Sequence, residues 1–264
     1  MLILLALIAC ADPADPKDTG ADTATDTATD TATDTDPDSD TDSGDETDTP
    51  TTDLTLNHVV VSLTVASRGE GFDLDGDDRV DNAAWALGAA LDPLFEAALA
   101  GAPRVLVVQV ADAEDLADDP SVQIALLSAS DDDGDPSDNA DGETFSAGAA
   151  VDADGRALVG ADTALAGGAY QVELLDSALV LGETELSTAT PLLIGGQVSL
   201  ERDAGLIGFG VSVDALAAAL VAAGYGEEAE GVGMLADLDT DGDGVDDALS
   251  IALAFDAAPC ELKP

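Results

Sequence analysis

Apolar and polar positions alternate with a two-residue period, and with many β-branched residues, over Asn57 to Ala66, Arg104 to Ala111, Ser121 to Ser128, Tyr170 to Leu175, Gln197 to Arg202 and Ser250 to Asp256. Alternation puts successive side chains on opposite faces of a strand, and Gly- and Asp-rich segments between the runs supply turns, so each run predicts a strand. Two stretches follow a helical period instead. Ala83 to Leu99 predicts a helix that breaks where Asp92 caps a restart at Pro93, and Ala215 to Ala223 predicts one capped by Asp214 and stopped by Gly224. Within the first, Trp85, Leu87, Leu91, Leu94 and Phe95 recur at the spacing of a face turned to a core. Strands outnumber helices. The expected fold class is therefore mainly β, a β-sandwich or a mixed sheet with two short packed helices, over residues 54–264.

Ahead of residue 54 the pattern is different. Leu2 to Ile8 is an apolar run too short for the about 20 residues of a membrane span, and it ends at Leu7-Ile8-Ala9-Cys10. That tetrapeptide resembles a bacterial lipobox, although no Lys or Arg precedes the apolar run. The resemblance implies that residues 1–9 are a signal peptide and that Cys10 is acylated as the new N-terminus. It also implies a lipid anchor in the cell envelope, at the outer membrane or cell surface. Residues 10–53 are mostly Asp, Thr, Ala, Ser and Pro, with the tetrad Asp-Thr-Ala-Thr starting at Asp22, Asp26 and Asp30. So few apolar side chains cannot offset the entropy of ordering, and like charges repel, so a disordered acidic linker is expected. A flexible chain of this length spans roughly 35 to 40 Å between its ends.

Charge narrows the functions. The 264 residues include 7 basic and 56 acidic ones, a formal charge of −49, while 46% are apolar. A polyanion gains nothing by approaching nucleic acid, so none is expected as a partner, whereas divalent cations are attracted. No lysine stands between Lys17 and Lys263, which removes P-loop phosphate binding and Schiff-base chemistry. A chain adapted to high salt would also be acidic, with its carboxylates spread evenly. Here they cluster in the linker, in Asp112 to Asp119, in Asp131 to Asp141, and in two Asp-Gly loops.

Those loops are Asp73-Leu74-Asp75-Gly76-Asp77-Asp78-Arg79-Val80-Asp81 and Asp239-Thr240-Asp241-Gly242-Asp243-Gly244-Val245-Asp246-Asp247. Acids at alternate positions of a tight glycine turn aim several carboxylate oxygens at one point, as a hard cation with six to eight oxygen ligands requires. Uncompensated, such carboxylates repel; a divalent ion reverses the sign. Both loops resemble the calcium loops of thrombospondin type 3 repeats and dockerins, and the first nine positions of an EF-hand. The match ends at position twelve, where an EF-hand has a bidentate Glu and this chain has Ala84 and Ser250. Further ligands are then expected from Asp78, Asn82 or Asp246, with affinity in the weak extracellular range of about 10⁻⁴ to 10⁻³ M. The candidate ligands are Asp73, Asp75, Asp77, Arg79 and Asp81, then Asp239, Asp241, Asp243, Val245 and Asp247, with calcium as the cofactor. The run from Gly71 to Asp77 into Asp81-Asn82, and that from Asp239 to Val245 into Asp247-Ala248-Leu249-Ser250, resemble uncharacterised Asp-rich lipoproteins of myxobacteria-like bacteria. That resemblance implies location and calcium, and no activity. The third acidic stretch, Asp131 to Asp141, lacks this spacing and reads as a solvated loop or an extra calcium site.

Catalytic signals are sparse. His58 is the only histidine, it falls in a predicted strand, and no Gly-x-Ser-x-Gly elbow accompanies it. Cys260 is the only further sulfur or nitrogen ligand of the usual kind beyond Cys10, too few for a zinc site. It is left unpaired if Cys10 is acylated and is free to bridge to Cys10 if not. The expectation is a non-enzymatic binding or envelope-surface component with a structural calcium domain. A calcium-dependent adhesion or carbohydrate-binding module with a surface glycan or protein partner is the first alternative. A hydrolase using a carboxylate pair is the second.

Overall fold

The computed structural model describes residues 53–264, apart from 101–102, 134, 136–138, 140–141, 176–178 and 182–183. The expected signal peptide, Cys10 and all of the expected acidic linker but Asp53 therefore lie outside the described residues. The domain is mainly β. Its strands are β1 (Leu54–Val65), β2 (Arg104–Ala113), β3 (Asp118–Asp131), β4 (Thr144–Ser146), β5 (Ala161–Ala166), β6 (Ala169–Leu174), β7 (Leu179–Leu181), β8 (Thr184–Leu186), β9 (Leu192–Val198), β10 (Asp203–Ser212), β11 (Ala248–Pro259) and β12 (Glu261–Lys263).

Eight of these close an antiparallel barrel in the order β3-β2-β1-β11-β10-β9-β6-β5, with β5 returning to β3. This replaces the sandwich or open mixed sheet expected from the pattern. Alternation decides which side chains face inward, but closure depends on strand length and stagger, which periodicity does not encode. The 14-residue β3 is long enough to hold β2 along one edge while Asp118 to Ile124 pair with β5 on the other. Register shifts between Val60 and Ser62 and between Asp119 and Val122 add the local bend that closure needs. Short β4 and β12 extend from the upper part of β3, and β7 and β8 form a separate ribbon.

Inward residues of every barrel strand, among them Leu106, Ile124, Ile194, Ile207, Phe209 and Leu253, fill the lumen as one apolar core. A second cluster lies on the opposite face of β1, β2 and β3, where Val59, Val107 and Leu127 meet Phe145 and Val151. Buried Gln109 fastens this cover, donating to the carbonyl of Gly155 at 2.8 Å and accepting from the amide of Ala157 at 2.6 Å. No helix among the described residues is long and apolar enough to cross a membrane.

Among the described residues there are three short α-helices: α1 (Gly88–Leu99), α2 (Val213–Ala223) and α3 (Gly226–Gly231). A 3₁₀ turn over Ala83–Leu87 precedes α1, so the break in the first predicted helix falls at Gly88 and not at Pro93. Asp92 does not cap a restart; its carboxylate accepts from the amide of Val65 at 2.7 Å and ties α1 to the end of β1. Leu87, Leu91 and Phe95 are buried as the spacing predicted, and Leu94 packs against the same core. Trp85 departs from that face. It is 45% exposed, and Arg68 stacks on its ring with the guanidinium carbon 5.1 Å from the centroid. Ser212, and not Asp214, caps α2 by accepting from the amide of Ala215, while Gly224 ends the helix in the left-handed region as expected.

Candidate metal centre

Loop positions are numbered here from Asp73 and from Asp239. At position one, Asp73 accepts at Oδ1 from the amides of Gly76 (2.7 Å) and Asp77 (3.1 Å) and at Oδ2 from Asp78 (2.9 Å). Its counterpart Asp239 accepts from Gly242 and Gly244, both at 2.8 Å. Asp75 accepts from the amide of Asp77 at 3.0 Å and Asp77 from that of Arg79 at 2.9 Å; Asp241 and Asp243 do the same toward Asp243 (3.1 Å) and Val245 (2.8 Å). Position nine reaches back to position two in both, Asp81 to the amide of Leu74 at 2.7 Å and Asp247 to that of Thr240 at 3.0 Å. The backbone closes identically, with the amide of Asp81 on the carbonyl of Phe72 (2.7 Å) and that of Asp247 on Leu238 (2.9 Å). Two segments from opposite ends of the domain thus fold into one motif.

The local reason is chirality. Positions four and six both need positive φ, found at Gly76 (82°), Asp78 (66°), Gly242 (78°) and Gly244 (88°). Glycine takes that region freely, and Asp is among the few other residues that visit it. With the turn set, amides hold each carboxylate in place and leave acceptor capacity on its oxygens. Asp73, Asp75 and Asp81, at positions one, three and nine, each turn a carboxylate oxygen into one group whose members all lie within 4.8 Å of one another, and Asp239, Asp241 and Asp243, at positions one, three and five, form a second group. Calcium–oxygen bonds of about 2.3 to 2.6 Å let one ion reach oxygens that lie this close together.

Of the predicted ligands, Asp77 and Asp247 stand outside these two groups. Asp77 also pairs with the Arg79 guanidinium at 3.5 Å, and Asp247 binds the amide and hydroxyl of Thr240. Val245 turns its side chain to solvent. Asn82, an expected helper, is buried: its amide donates to the carbonyls of Ala66, Ser67 and Glu70, and its Oδ1 accepts from the amide of Ala252. It anchors the first loop on β11.

Sequence reasoning missed Asp237, just before the second loop. Its carboxylate accepts from the amide of Ser250 at 2.8 Å and from the Ser250 hydroxyl, and that hydroxyl oxygen accepts from the amide of Ala83 at 2.8 Å. The first loop's exit, the second loop's approach and the start of β11 are therefore one hydrogen-bonded unit. Electrostatics agree. Asp81 is raised above the usual carboxylate range by burial, against the pull of the Leu74 amide, with repulsion from Asp75, Asp237 and Asp73 adding to the rise. Burial also raises Asp237, partly offset by Ser250, and Asp246 and Asp75 add repulsion. For Asp73, burial pushes upward but the amides of Asp78, Gly76 and Asp77 outweigh it, leaving it below the usual range. The only sequence signal for Asp237 was its alternation with Asp239, which ordinary loops share.

Comparison with protein families, curated proteins and solved structures finds no match to this chain.

The remaining candidates lie elsewhere in the domain. His58 is buried in β1 and donates from Nε2 to the carbonyl of Ser199 at 3.1 Å. Cys260 forms no disulfide among the described residues, and burial, against the pull of the Val59 backbone, pushes its thiol up to about 12. In the third acidic stretch Asp138 and Asp141 lie outside the described residues. There Asp132 pairs with Lys263 at 2.9 Å, and Asp131 and Asp133 accept amides two residues on.

Proposed function

We propose that this chain is an exported, lipid-anchored surface protein whose barrel binds two calcium ions structurally, as a non-enzymatic component of the cell envelope. The observation that carries the calcium reading is the recurrence of one hydrogen-bonded loop at two distant points, each with three convergent carboxylates. Two acidic turns serving only solvation have no reason to share five amide-to-carboxylate bonds, the Asp77 amide on Asp73 being the one in the first loop without a counterpart in the second. Asp73, Asp75 and Asp81 would hold one ion and Asp239, Asp241 and Asp243 the other, the ion cancelling repulsion among fixed carboxylates. Both loops fasten to β11, so the ions would brace the segments entering the central strand and α1.

The anchor rests on the lipobox-like Leu7-Ile8-Ala9-Cys10. The resemblance to Asp-rich lipoproteins of myxobacteria-like bacteria agrees with that placement. Of the buried acids among the described residues, Asp119 accepts the amides of Glu114, Asp115 and Ser121, and Asp203 meets Tyr170. Both are engaged by groups of the fold itself, which supports structural roles for them. The anchor is tested by fractionation of Cys10→Ser in a detergent-phase assay. Loss of membrane partitioning is expected, and a variant that still partitions with membrane overturns it.

A further inference from the structure

Asp203 opens β10 with its side chain inside the barrel, 0% exposed. The Tyr170 hydroxyl on β6 donates to its Oδ2 at 2.7 Å, while Oδ1 has no hydrogen-bond partner among the described residues. The pocket is built around this pair. Gly196 on β9 faces it, and a β-carbon there would fall 2.6 Å from the Tyr170 oxygen and 2.8 Å from Asp203 Oδ1. Across the sheet Asp203 pairs with Val198 on β9 and Ala257 on β11, both buried and apolar.

No cation reaches the carboxyl from these elements. Arg202, the preceding residue, pairs with Asp256, and Glu201 stands exposed in the turn. His58 on β1, whose ring reaches the carbonyl of Ser199 in that same turn, is held below its usual range by burial, against the opposing effect of that carbonyl bond. A carboxylate whose Oδ1 lacks a partner among the described residues, in an apolar lumen, is far from compensated. A proton on Oδ1 removes the charge while Oδ2 still accepts from Tyr170.

We propose that Asp203 is a proton-sensing residue of the barrel: the domain is tightest when this carboxyl is protonated and loosens as it ionises, so acidic surroundings tighten the fold. Burial raises it from the usual 3.8 to about 6, against the pull of the Tyr170 hydroxyl and the Ala204 amide. The folded state then holds the proton more strongly than the unfolded chain. The stabilisation is complete below about 4 and is lost as pH rises through about 6. This runs opposite to a salt-bridged Asp, and opposite to His58, which loses stability as it is charged in acid.

The test is denaturant unfolding of the purified chain in chelator from about pH 4.5 to 8, wild type against Asp203→Asn. Asparagine keeps an acceptor for Tyr170 but cannot ionise, and His58 is common to both proteins and cancels. The folding equilibrium of wild type relative to Asp203→Asn is expected to fall by roughly 25-fold between about pH 4.5 and 7 and then level off. Parallel profiles overturn the proposal. Isotope-edited infrared spectroscopy of the wild type gives an answer even if the variant does not fold. A protonated aspartic carboxyl is expected to persist at about pH 5 and vanish by about pH 7, at a midpoint that Tyr170→Phe moves upward. A midpoint near 4, or one that Tyr170→Phe leaves in place, overturns it.

Discussion

Asp81 and Asp247 hold the same place in two separate loops, each turning a carboxylate oxygen back to the second loop residue, Leu74 at 2.7 Å and Thr240 at 3.0 Å. Their surroundings set them apart. Asp81 is partly buried and faces Asp75, Asp237 and Asp73, which together with burial raise it above the usual range despite the Leu74 amide. The amide and hydroxyl of Thr240 hold Asp247 below that range. By linkage, Asp81 contributes stability at low pH that is lost as pH rises through its folded value, and Asp247 contributes stability at high pH that is lost as pH falls through its own.

Neutralising these two residues therefore has opposite effects when calcium is removed. In chelator at neutral pH, Asp81→Asn is expected to leave the melting temperature unchanged or raised, because a repelled charge is gone. Asp247→Asn is expected to lower it by weakening charge-assisted bonds to Thr240. With calcium in excess Asp81→Asn becomes destabilising, since it removes one of the three convergent oxygens. Melting curves of both variants in chelator and in calcium check the sign change.

Position six carries the same left-handed backbone in both loops, on Asp78 in one and Gly244 in the other. Gly244→Ala forces an ordinary residue into that region and is expected to destabilise by about 1 to 2 kcal/mol. Asp78→Gly relieves the strain and is expected to be neutral or stabilising. Denaturant unfolding of both variants in chelator decides this. A destabilising Asp78→Gly would place the value of Asp78 in its side chain.

The first loop is pinned to the barrel wall by Phe72. Its ring packs over Gly208 on β10, where a methyl group would overlap it. Phe72→Ala is expected to lose about 3 to 5 kcal/mol, and Gly208→Ala about 1 to 3 kcal/mol from overpacking. In the double variant the alanine methyl occupies space the ring has left, so its loss should fall short of the sum by about 0.5 to 3 kcal/mol. Strict additivity, measured by unfolding of all four proteins, would contradict the contact.

Much of this was legible in the sequence. β1, β2, β3, β6 and β11 fall where alternation is regular, because a strand with one face in the core must alternate. β10 went unread. Its run Asp203-Ala-Gly-Leu-Ile-Gly-Phe-Gly puts glycines where β-branched residues usually signal a strand, and those glycines answer to Phe72 and the facing strand. The run Gln197 to Arg202 was expected as a strand and spans the end of β9 and the turn into β10. Asp-Gly spacing was enough to locate both loops, since their hydrogen bonds are local. Their common footing on Ser250 and the raised Asp237 depend on barrel closure, which no local pattern carries.

Calcium-dependent stability tests the central claim most directly. Thermal and denaturant unfolding of the purified chain would be measured in chelator, in millimolar magnesium, and in calcium raised through the millimolar range. Binding to the native state alone adds about 2.7 kcal/mol per site at a hundredfold excess over the dissociation constant. Two braced loops therefore predict a large calcium-specific gain, halved by Asp75→Asn or Asp241→Asn alone and abolished by the pair. Unfolding curves that coincide in chelator, magnesium and calcium would contradict the account and leave the two loops as acidic turns.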